Sequence, residues 1–409
     1  MKMTFAWRSA ALFAFAGLAF TAPALAQDKV VKIGVLNDMT SLYADIGGPN
    51  SVVAANMAVE DSGMRAKGWK IDIVSGDHQN KPDAGVNIAR QWIDNDKVDI
   101  ITDTPNSGVA LAVSNLVHEK NAIMLNSGAA TADLTGKACN PQTISYTFDT
   151  YMLANGTGKA LTKAGGDSWF FLTADYAFGH ALERDTSAVV TANGGKVLGD
   201  AKHPLNTSDF SSFLLQAQSS KAKIIGLANA GGDTDNAIKQ AAEFGIVAGG
   251  QKLAALLLFI NDVHALGLKT AQGLTFTESF YWDLNDQTRT WSKRFAARAS
   301  KNAMPSMTQA GLYAGILHYL KALDALGGNP HDGAKVVAKM KEMPTDDPIF
   351  GKGVLRADGR HLIPAYLFEV KKPEESKYPW DYYKLVATIP PEDAAVPLSQ
   401  SQCPLVKKQ

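Results

Sequence analysis

The chain has 409 residues, 46% of them hydrophobic and 20% charged, a composition that excludes disordered and fibrous proteins. Its 40 basic and 40 acidic residues cancel, so nucleic acid is not an expected partner. A chain of this length is long enough for two domains, each with its own core.

The first 26 residues have the features of a secretory signal peptide. The basic residues Lys2 and Arg8 precede an apolar run at 10–20, and the small residues Ala24 and Ala26 form a cleavage site. The apolar run is too short to span a bilayer, although a membrane anchor is the alternative. We expect an exported mature chain that begins at Gln27 and carries no lipid anchor, because no cysteine follows the cleavage point.

Cys139 and Cys403 are the only cysteines. In an oxidising compartment they are expected to form a disulfide, with two free thiols as the alternative. The bond would fasten the Pro-rich C-terminal tail, residues 391–409, to a turn in the first third of the chain.

Strands alternate with helices in two successive stretches of the chain. The first stretch has strands at 32–36, 70–74, 99–102 and 122–125, and the second has strands at 168–173, 223–227 and 253–259. Helices are expected between them, at 51–61, 82–94, 178–192, 208–218 and 234–244. This alternation predicts an α/β fold with two similar doubly wound lobes, each built on a mostly parallel sheet.

The rest of the chain departs from this alternation. Helices are expected at 291–300, 305–326 and 330–343, the second of them amphipathic. A hairpin turn at Asp358-Gly359 and strands at 363–370 and 382–389 follow.

Polar turns follow two neighbouring strands of the first lobe. The first contains Asn106 and Ser107, and the second leads from Asn126 to Thr131. At the carboxyl ends of parallel strands, free backbone N–H groups and helix N-termini face a crevice that receives anions. The alternative is that Ser107 and Thr131 are ordinary helix caps.

Aromatic residues lie beside several strand ends: Tyr43, Tyr176, Phe178 and the run Phe280-Tyr281-Trp282. Aromatic side chains combine a large apolar area with, in Tyr and Trp, a polar tip, which suits a small ligand held between two walls. Core packing is the alternative for each of them, but their shared position favours a pocket.

The sequence lacks the motifs of several enzyme classes. It has no G-x-S-x-G motif, His118-Glu119 has no second His at position 122, and Gly156–Lys159 lacks the Ser or Thr of a phosphate loop. A nucleotide-dependent enzyme on this fold would need a glycine-rich loop after the first strand, but the loop from Asn37 to Tyr43 contains no glycine. We therefore expect a protein that is not an enzyme and that holds no cofactor or metal.

In its order of motifs the sequence resembles the periplasmic binding proteins of the branched-chain amino acid type, which are the solute receptors of ABC importers. The resemblance covers about residues 30–370 and is carried by five segments: Lys32-Ile-Gly-Val35 with Gly47, Pro82-Asp-Ala-Gly-Val86, Ser107, Asn126-Ser-Gly-Ala-Ala-Thr131 and Asp175-Tyr-Ala-Phe-Gly179. It implies two Rossmann-like lobes joined by three hinge crossings, a cleft that closes on the ligand, a membrane permease as partner and a periplasmic monomer.

The resemblance also implies where the chain crosses between the lobes and which residues each lobe contains. The crossings are expected near 148–151, 277–280 and 353–357. Lobe 1 would comprise 28–148 and 279–354, and lobe 2 would comprise 149–278 and 355–390.

By the same resemblance, Ser107, Ala129 and Thr131 would clamp a ligand carboxylate, and Tyr176 and Phe178 would cover the ligand from lobe 2. Five further residues are expected to line the site: Tyr43, Asn106, Asn229, Leu256 and Phe280.

One departure from the family bears on the ligand. Amino-acid receptors of this family place an acidic residue after the strand near 253–259, to pair with the ligand ammonium, whereas this chain has no acid there before Asp262. A buried ammonium without a partner costs several kcal/mol. We therefore expect an aromatic carboxylate of the benzoate or phenylpropanoid kind. A branched-chain or other amino acid is the alternative, with Asp233, Asp262 or Glu278 in place of the missing acid.

Overall fold

The structure is a computed structural model that describes residues 1, 3, 4 and 29–407. The predicted signal peptide lies almost entirely outside these residues. In the described part of the chain, no helix has the length and apolar character needed to cross a membrane.

The first lobe is built on a sheet of five parallel strands: β1 (Val30–Asn37), β2 (Lys70–Asp77), β3 (Ile100–Asp103), β4 (Ile123–Asn126) and β5 (Thr143–Ser145). Their order in the sheet is β2-β1-β3-β4-β5. Every residue of β3 and β4 is buried, because helices cover both faces of the sheet. Three of these helices are α1 (Gly48–Asp61), α2 (Pro82–Gln91) and α3 (Ser107–Lys120).

The second lobe repeats this plan with the parallel strands β6 (Ser168–Ala174), β7 (Lys196–His203), β8 (Ile224–Ala228), β9 (Lys252–Ala255) and β10 (Thr275–Glu278). Its helices are α4 (Thr150–Leu153), α5 (Lys159–Lys163), α6 (Ala177–Ala192), α7 (Ser211–Ser219), α8 (Gly232–Glu243), α9 (Ile260–Leu266) and α10 (Leu268–Ala271). The predicted α/β architecture with two lobes is confirmed.

Three more helices return to the first lobe: α11 (Asp286–Ala296), α12 (Met307–Ala325) and α13 (Gly333–Glu342). The prediction placed the first of them five residues too late, because Asn285 caps α11 by accepting bonds from the amides of Gln287 and Thr288. Helix α12 packs against α1 and the sheet. It is buried on nearly all sides rather than amphipathic, so even Thr308, Gln309 and His318 are enclosed.

A small antiparallel sheet follows, with β11 (Thr345–Asp347), β12 (Gly351–Leu355) and β13 (His361–Leu362). The predicted hairpin at Asp358-Gly359 joins β12 to β13. The predicted strand at 363–370 is wrong at its start, because Pro364 has no N–H to donate. After this break β14 (Ala365–Val370) pairs with β10, and β15 (Tyr383–Ile389) pairs with β14, so the second sheet gains two antiparallel strands.

Other strands differ from the sequence-based prediction. Strands β5 and β11 were not predicted, and each has only three residues. Strand β7 was not predicted either, because its exposed lysines and partly exposed apolar residues give only a weak pattern. Strand β9 ends at Ala255, four residues before the predicted end at Phe259. Residues 256–259 therefore form a loop that leads into α9.

The chain passes between the lobes three times: from β5 to α4, from β10 to α11, and from β13 to β14 at Ile363-Pro364. The third passage lies after the range 353–357 that the family resemblance implied. Within this hinge the Nε of Arg360 lies 3.0 Å from Oδ2 of Asp149, and both side chains are buried, with 1% and 2% of their surface exposed.

The C-terminal tail runs back across the hinge to the first lobe. Arg356 donates a hydrogen bond from Nη1 to the carbonyl of Val396, at 2.7 Å. Cys139 and Cys403 form the predicted disulfide, with 5.6 Å between their Cα atoms. This bond adds a covalent link to the three passages of the backbone.

Candidate functional site

A pocket lies between the lobes at the carboxyl ends of the parallel strands. Lobe 1 contributes residues that follow β1, β3 and β4, and lobe 2 contributes residues that follow β6, β8 and β9. The lining residues are Tyr43, Ile46, Pro105, Gly128 and Ala130 from lobe 1, and Tyr176, Phe178, Ala230, Leu257 and Phe259 from lobe 2. We call this the aromatic pocket. It has a volume of about 260 Å³.

The turn after β3 is held in a strained conformation. Asp103 and Thr104 have φ angles of 76° and 57°, in the left-handed region that non-glycine residues seldom adopt. The buried Asp103 carboxylate accepts a hydrogen bond from the Ser127 hydroxyl, at 3.1 Å, and another from the Asn37 amide. Burial raises the pKa of Asp103 to about 6.

The turn after β4 lies directly against it. A Cβ atom at Gly128 would stand 2.8 Å from both Oδ1 of Asp103 and Cα of Pro105, so only glycine fits there without displacing one of the turns. The two polar turns predicted from the sequence therefore form one packed unit.

The two turns present hydrogen-bond donors beside the pocket. Asn106, rather than Ser107, caps α3 by accepting bonds from the amides of Gly108 and Val109. The Ser107 hydroxyl oxygen accepts a bond of 3.3 Å from the Thr131 amide. Among the described residues, the amides of Ser107 and Ala130 have no hydrogen-bond acceptor. The turn after β4 leads into a single 3₁₀ turn, Ala132–Leu134, which Thr131 caps.

Two tyrosines connect the lobes across the pocket. The hydroxyl oxygens of Tyr43 and Tyr176 are 2.6 Å apart, the distance of a short hydrogen bond. Burial raises the pKa of both hydroxyls above the ordinary tyrosine value, so both stay neutral at physiological pH. The Tyr43 loop is fastened by the Asp38 carboxylate, which accepts bonds from the amides of Ser41 and Tyr43.

The structure places the predicted site residues in three groups. Tyr43, Tyr176 and Phe178 line the aromatic pocket. Ser107, Ala129, Thr131 and Asn106 lie in the adjoining turns and are almost completely buried. Asn229, Leu256 and Phe280 do not line the pocket.

These three have other contacts. Asn229 bonds to His203, at 3.0 Å, and to Thr234, at 2.7 Å. Leu256 is completely buried in the core. Phe280 packs edge-on against Trp291, with ring centroids 5.8 Å apart.

Seven lining residues were not predicted from the sequence: Ile46, Pro105, Gly128, Ala130, Ala230, Leu257 and Phe259. Leu257 and Phe259 belong to the predicted strand 253–259, and they reach the pocket because β9 ends at Ala255. Ala230 directly follows the predicted Asn229. For Ile46 the sequence carries no signal beyond its position two residues before α1.

Asp233, Asp262 and Glu278, the acids that could pair with a ligand ammonium, do not line the pocket. Asp233 accepts bonds from the amides of Asn206 and Thr207, at 3.2 and 2.9 Å, and burial raises its pKa to about 7. Asp262 accepts a bond from the Phe259 amide, at 2.8 Å. Glu278 accepts one from the Tyr383 hydroxyl, at 3.0 Å. Burial raises the pKa of these last two carboxyls as well.

A larger groove, of about 1670 Å³ by the same measure, lies beside the C-terminal tail, and it shares no lining residue with the aromatic pocket. Four of its charged side chains already pair with one another. Asp133 lies 3.1 Å from Lys137 and 3.2 Å from Arg184, and Arg184 lies 2.8 Å from Asp185. The aromatic pocket, at the strand ends of both lobes, is the stronger candidate for a ligand site.

Comparisons with known proteins agree with this geometry. Residues 30–376 match the family model described as periplasmic binding protein. A solved periplasmic binding protein from Burkholderia mallei is 52% identical, with a TM-score of 0.89, over 93% of this chain and 100% of that one. A branched chain amino acid ABC transporter periplasmic ligand-binding protein from Burkholderia xenovorans LB400 is 40% identical, with a TM-score of 0.81, over 92% and 100% of the two chains.

A third solved structure shares the fold at lower identity. It is a solute-binding protein of an ABC transporter from R. palustris, in complex with benzoate. It is 22% identical, with a TM-score of 0.80, and the match covers 92% of this chain and 99% of that one. Together, the family model, the relatives of high identity and the two-lobed architecture show that this chain belongs to the periplasmic binding proteins, the solute-binding components of ABC transporters.

Proposed function

We propose that the protein captures a small aromatic carboxylate in the aromatic pocket and delivers it to a membrane permease. The observation that carries this proposal is the lining of the pocket. It combines four aromatic rings with apolar side chains, and no carboxylate is present among these lining residues, all of which the structure describes. Aromatic side chains on both lobes offer a planar ligand ring two apolar walls.

The donors beside the pocket suit the carboxylate of such a ligand. The Ser107 amide lies at the N-terminus of α3, where the helix dipole favours negative charge. The hydroxyls of Ser107 and Thr131 add donors, and hydrogen bonds to an ionised carboxylate are stronger than neutral ones. Ala129 was predicted to supply backbone contacts, but its amide bonds to the Asn126 side chain at 2.8 Å. We assign that role to the free amide of Ala130.

An amino acid is the alternative ligand, and the relative from Burkholderia xenovorans is named as a receptor of that type. An amino-acid ligand brings an ammonium group that needs an acidic partner, and Asp233, Asp262 and Glu278 lie outside the pocket lining. Leaving that charge unpaired costs several kcal/mol. The neighbour from R. palustris, which was solved with benzoate, shows that the same fold accommodates an aromatic acid.

The proposal includes closure of the lobes around the ligand. Tyr43 and Tyr176 are in contact across the pocket, so a benzene ring enters only when the lobes separate. A ligand that touches rings on both lobes then stabilises the closed state. A ligand with equal affinity for the open and closed states would not change their relative populations.

We also propose that the protein is exported to the periplasm. The family is periplasmic, and we propose that a signal peptide is removed after Ala26 and that the mature protein acts as a monomer. Mass spectrometry of the protein recovered from the periplasm measures the mature N-terminus. A mass that includes residues 1–26 would contradict the proposed cleavage.

A thermal-shift screen of the mature protein against benzoate, hydroxybenzoates, hydroxycinnamates and leucine tests the ligand class. A ligand that binds only the folded state raises the melting temperature. We expect aromatic acids to raise it and the double variant Ser107→Ala, Thr131→Val to abolish the rise. A control with the same two changes at exposed helix positions, Ser212→Ala and Thr290→Val, should keep it. A shift with leucine alone would support the amino-acid alternative.

A further inference from the structure

The C-terminal tail forms a fourth connection between the lobes. It leaves β15, the last strand of lobe 2, at Ile389 and reaches Cys403, which is bonded to Cys139 of lobe 1. We call residues 390–403 the strap. Unlike the three passages of the backbone, this connection is completed by a bond between side chains.

The start of the strap is anchored to lobe 2. The carbonyl of Pro390 accepts hydrogen bonds from the amides of Asp393 and Ala394, both at 3.0 Å, and so forms a turn directly after β15. The carbonyl of Asp393 accepts a further bond from Nδ2 of Asn155, which lies between α4 and α5. This part of the strap therefore moves with lobe 2.

The next anchor of the strap lies on lobe 1. The carbonyl of Val396 accepts the bond of 2.7 Å from Arg356, whose Nε also donates to Oδ1 of the buried Asp358, at 3.2 Å. Arg356 and Asp358 belong to the turn between β12 and β13. This turn is bound to β5, because the Ser145 amide donates to the carbonyl of Gly359, at 3.0 Å. The strap at Val396 therefore moves with lobe 1.

Between these two anchors the strap crosses from one lobe to the other in very few residues. Only Ala394 and Ala395 separate Asp393 from Val396, and both are buried, with 2% of their surface exposed. Three residues of fully extended chain span at most about 11 Å, so the crossing has little length in reserve. A lobe rotation that moves the two anchors apart must therefore break one of them.

The disulfide keeps the second anchor close to its partner. Six residues lie between Val396 and Cys403, so when the bond to Arg356 breaks, the Val396 carbonyl stays tethered nearby at a high effective concentration. Without the disulfide, the same broken bond would release the strap from lobe 1. Cys139 and Cys403 are only 8% and 4% exposed, which protects the disulfide from reduction by dissolved thiols. The restraint is therefore permanent and not a redox switch.

From these contacts we infer that the strap limits how far the lobes open, and that the Cys139–Cys403 disulfide makes this limit effective. In this structure the lobes touch through Tyr43 and Tyr176, and both anchors of the strap are formed. Wide opening gives up one of the anchors, so the strap favours the closed state even without a ligand. The inference depends on the hinge between the lobes and not on the identity of the ligand.

Single-molecule FRET on the ligand-free mature protein tests this inference. Dyes are attached through non-natural amino acids at two exposed helix positions, Asn56 before β2 and Gln216 after β7, near the sheet edges away from the passages at β5 and β10. We expect the serine variant, Cys139→Ser with Cys403→Ser, to shift the distances between the lobes to larger values. In Asn155→Ala, which removes the anchor on lobe 2, the ratio of closed to open molecules should fall about fivefold, the effect of one hydrogen bond.

A matched control and a combined variant separate the strap from other causes. Asn193 lines the same groove as Asn155, but its Nδ2 donates within lobe 2, to the carbonyl of Val189 at 2.7 Å. Asn193→Ala should therefore leave the distances unchanged. Adding Asn155→Ala to the serine variant should open the lobes little further, because the strap is already released from lobe 1.

Each other outcome would overturn the inference. Unchanged distances in the serine variant would do so, as would independent, additive effects of the anchor and the disulfide. An equal shift in Asn193→Ala would mean that the substitutions loosen lobe 2 and not the strap. Urea unfolding shows whether each variant is folded, and if the serine variant is not, an unchanged ratio in Asn155→Ala overturns the inference by itself. The thermal-shift screen tests the proposed ligand class separately.

Discussion

The buried ion pair in the hinge gives a prediction of defined size. Arg360 and Asp149 expose 1% and 2% of their side chains, and the pair joins the first passage between the lobes to the turn before the third. The variant Arg360→Met keeps most of the volume and leaves the Asp149 charge buried without its partner. Removing one member of a buried pair costs about 3–5 kcal/mol. Since Asp149 still accepts a bond from the Met152 amide, at 2.8 Å, we expect the lower end, about 3 kcal/mol.

Urea unfolding of the mature protein measures this change in the free energy of unfolding. The double variant Arg360→Met, Asp149→Asn tests the electrostatic cause, because asparagine still caps α4 and leaves no buried charge. It should be clearly more stable than the sum of the two single variants implies. As a control, Arg298→Met removes an exposed pair with Glu60 and should cost less than about 1 kcal/mol. A loss below about 1 kcal/mol for Arg360→Met, or additive single effects, would refute the reasoning.

Three further predictions follow from the packing of the tail and the site. Cys403→Ser opens a disulfide that spans 264 residues and should cost about 2–5 kcal/mol, measured as a lower urea midpoint; an unchanged midpoint would contradict this. The pKa of the buried Asp103 is about 6 in the folded state and about 3.8 in the unfolded chain. Between these pH values the folded protein therefore binds more protons than the unfolded chain. For this reason the Asp103 carboxyl makes the protein less stable as the pH rises from 4 to 7. The stability of Asp103→Asn relative to wild type should therefore increase over that range. If the urea midpoints of the variant and wild type differ by the same amount at pH 4 and pH 7, the pKa shift of Asp103 is excluded. Gly128→Ala places a methyl group 2.8 Å from Cα of Pro105 and should weaken aromatic-acid binding in calorimetry, whereas the control Gly249→Ala, with its closest contact at 3.3 Å, should not.

The sequence predicted the kind of fold and most of its parts. Long buried strands such as β6 and helices such as α6 carry their pattern locally, so their positions follow from a few neighbouring residues. The exceptions have local or tertiary causes. Strand β7 is half-exposed and charged, and the break at Pro364 separates strands that belong to two different sheets.

The site was predicted less completely than the fold. Tyr43, Tyr176 and Phe178 were found because aromatic residues beside strand ends are visible in a sequence. Asn229, Leu256 and Phe280 share that position along the chain, but they lie outside the pocket lining. Whether such a side chain enters the pocket or the core depends on the packing of distant elements, which local sequence does not contain.

Residue type and spacing along the chain were enough to predict the alternation of strands and helices, the polar turns after β3 and β4, and the pairing of Cys139 with Cys403. Three contacts became visible only in the folded chain: the hydroxyls of Tyr43 and Tyr176 meet across the cleft, Asn106 caps α3 and leaves the Ser107 amide free, and Arg360 pairs with Asp149. These contacts join residues that are distant in the chain or compete for one helix end, so they arise from the way the lobes pack and not from local preference.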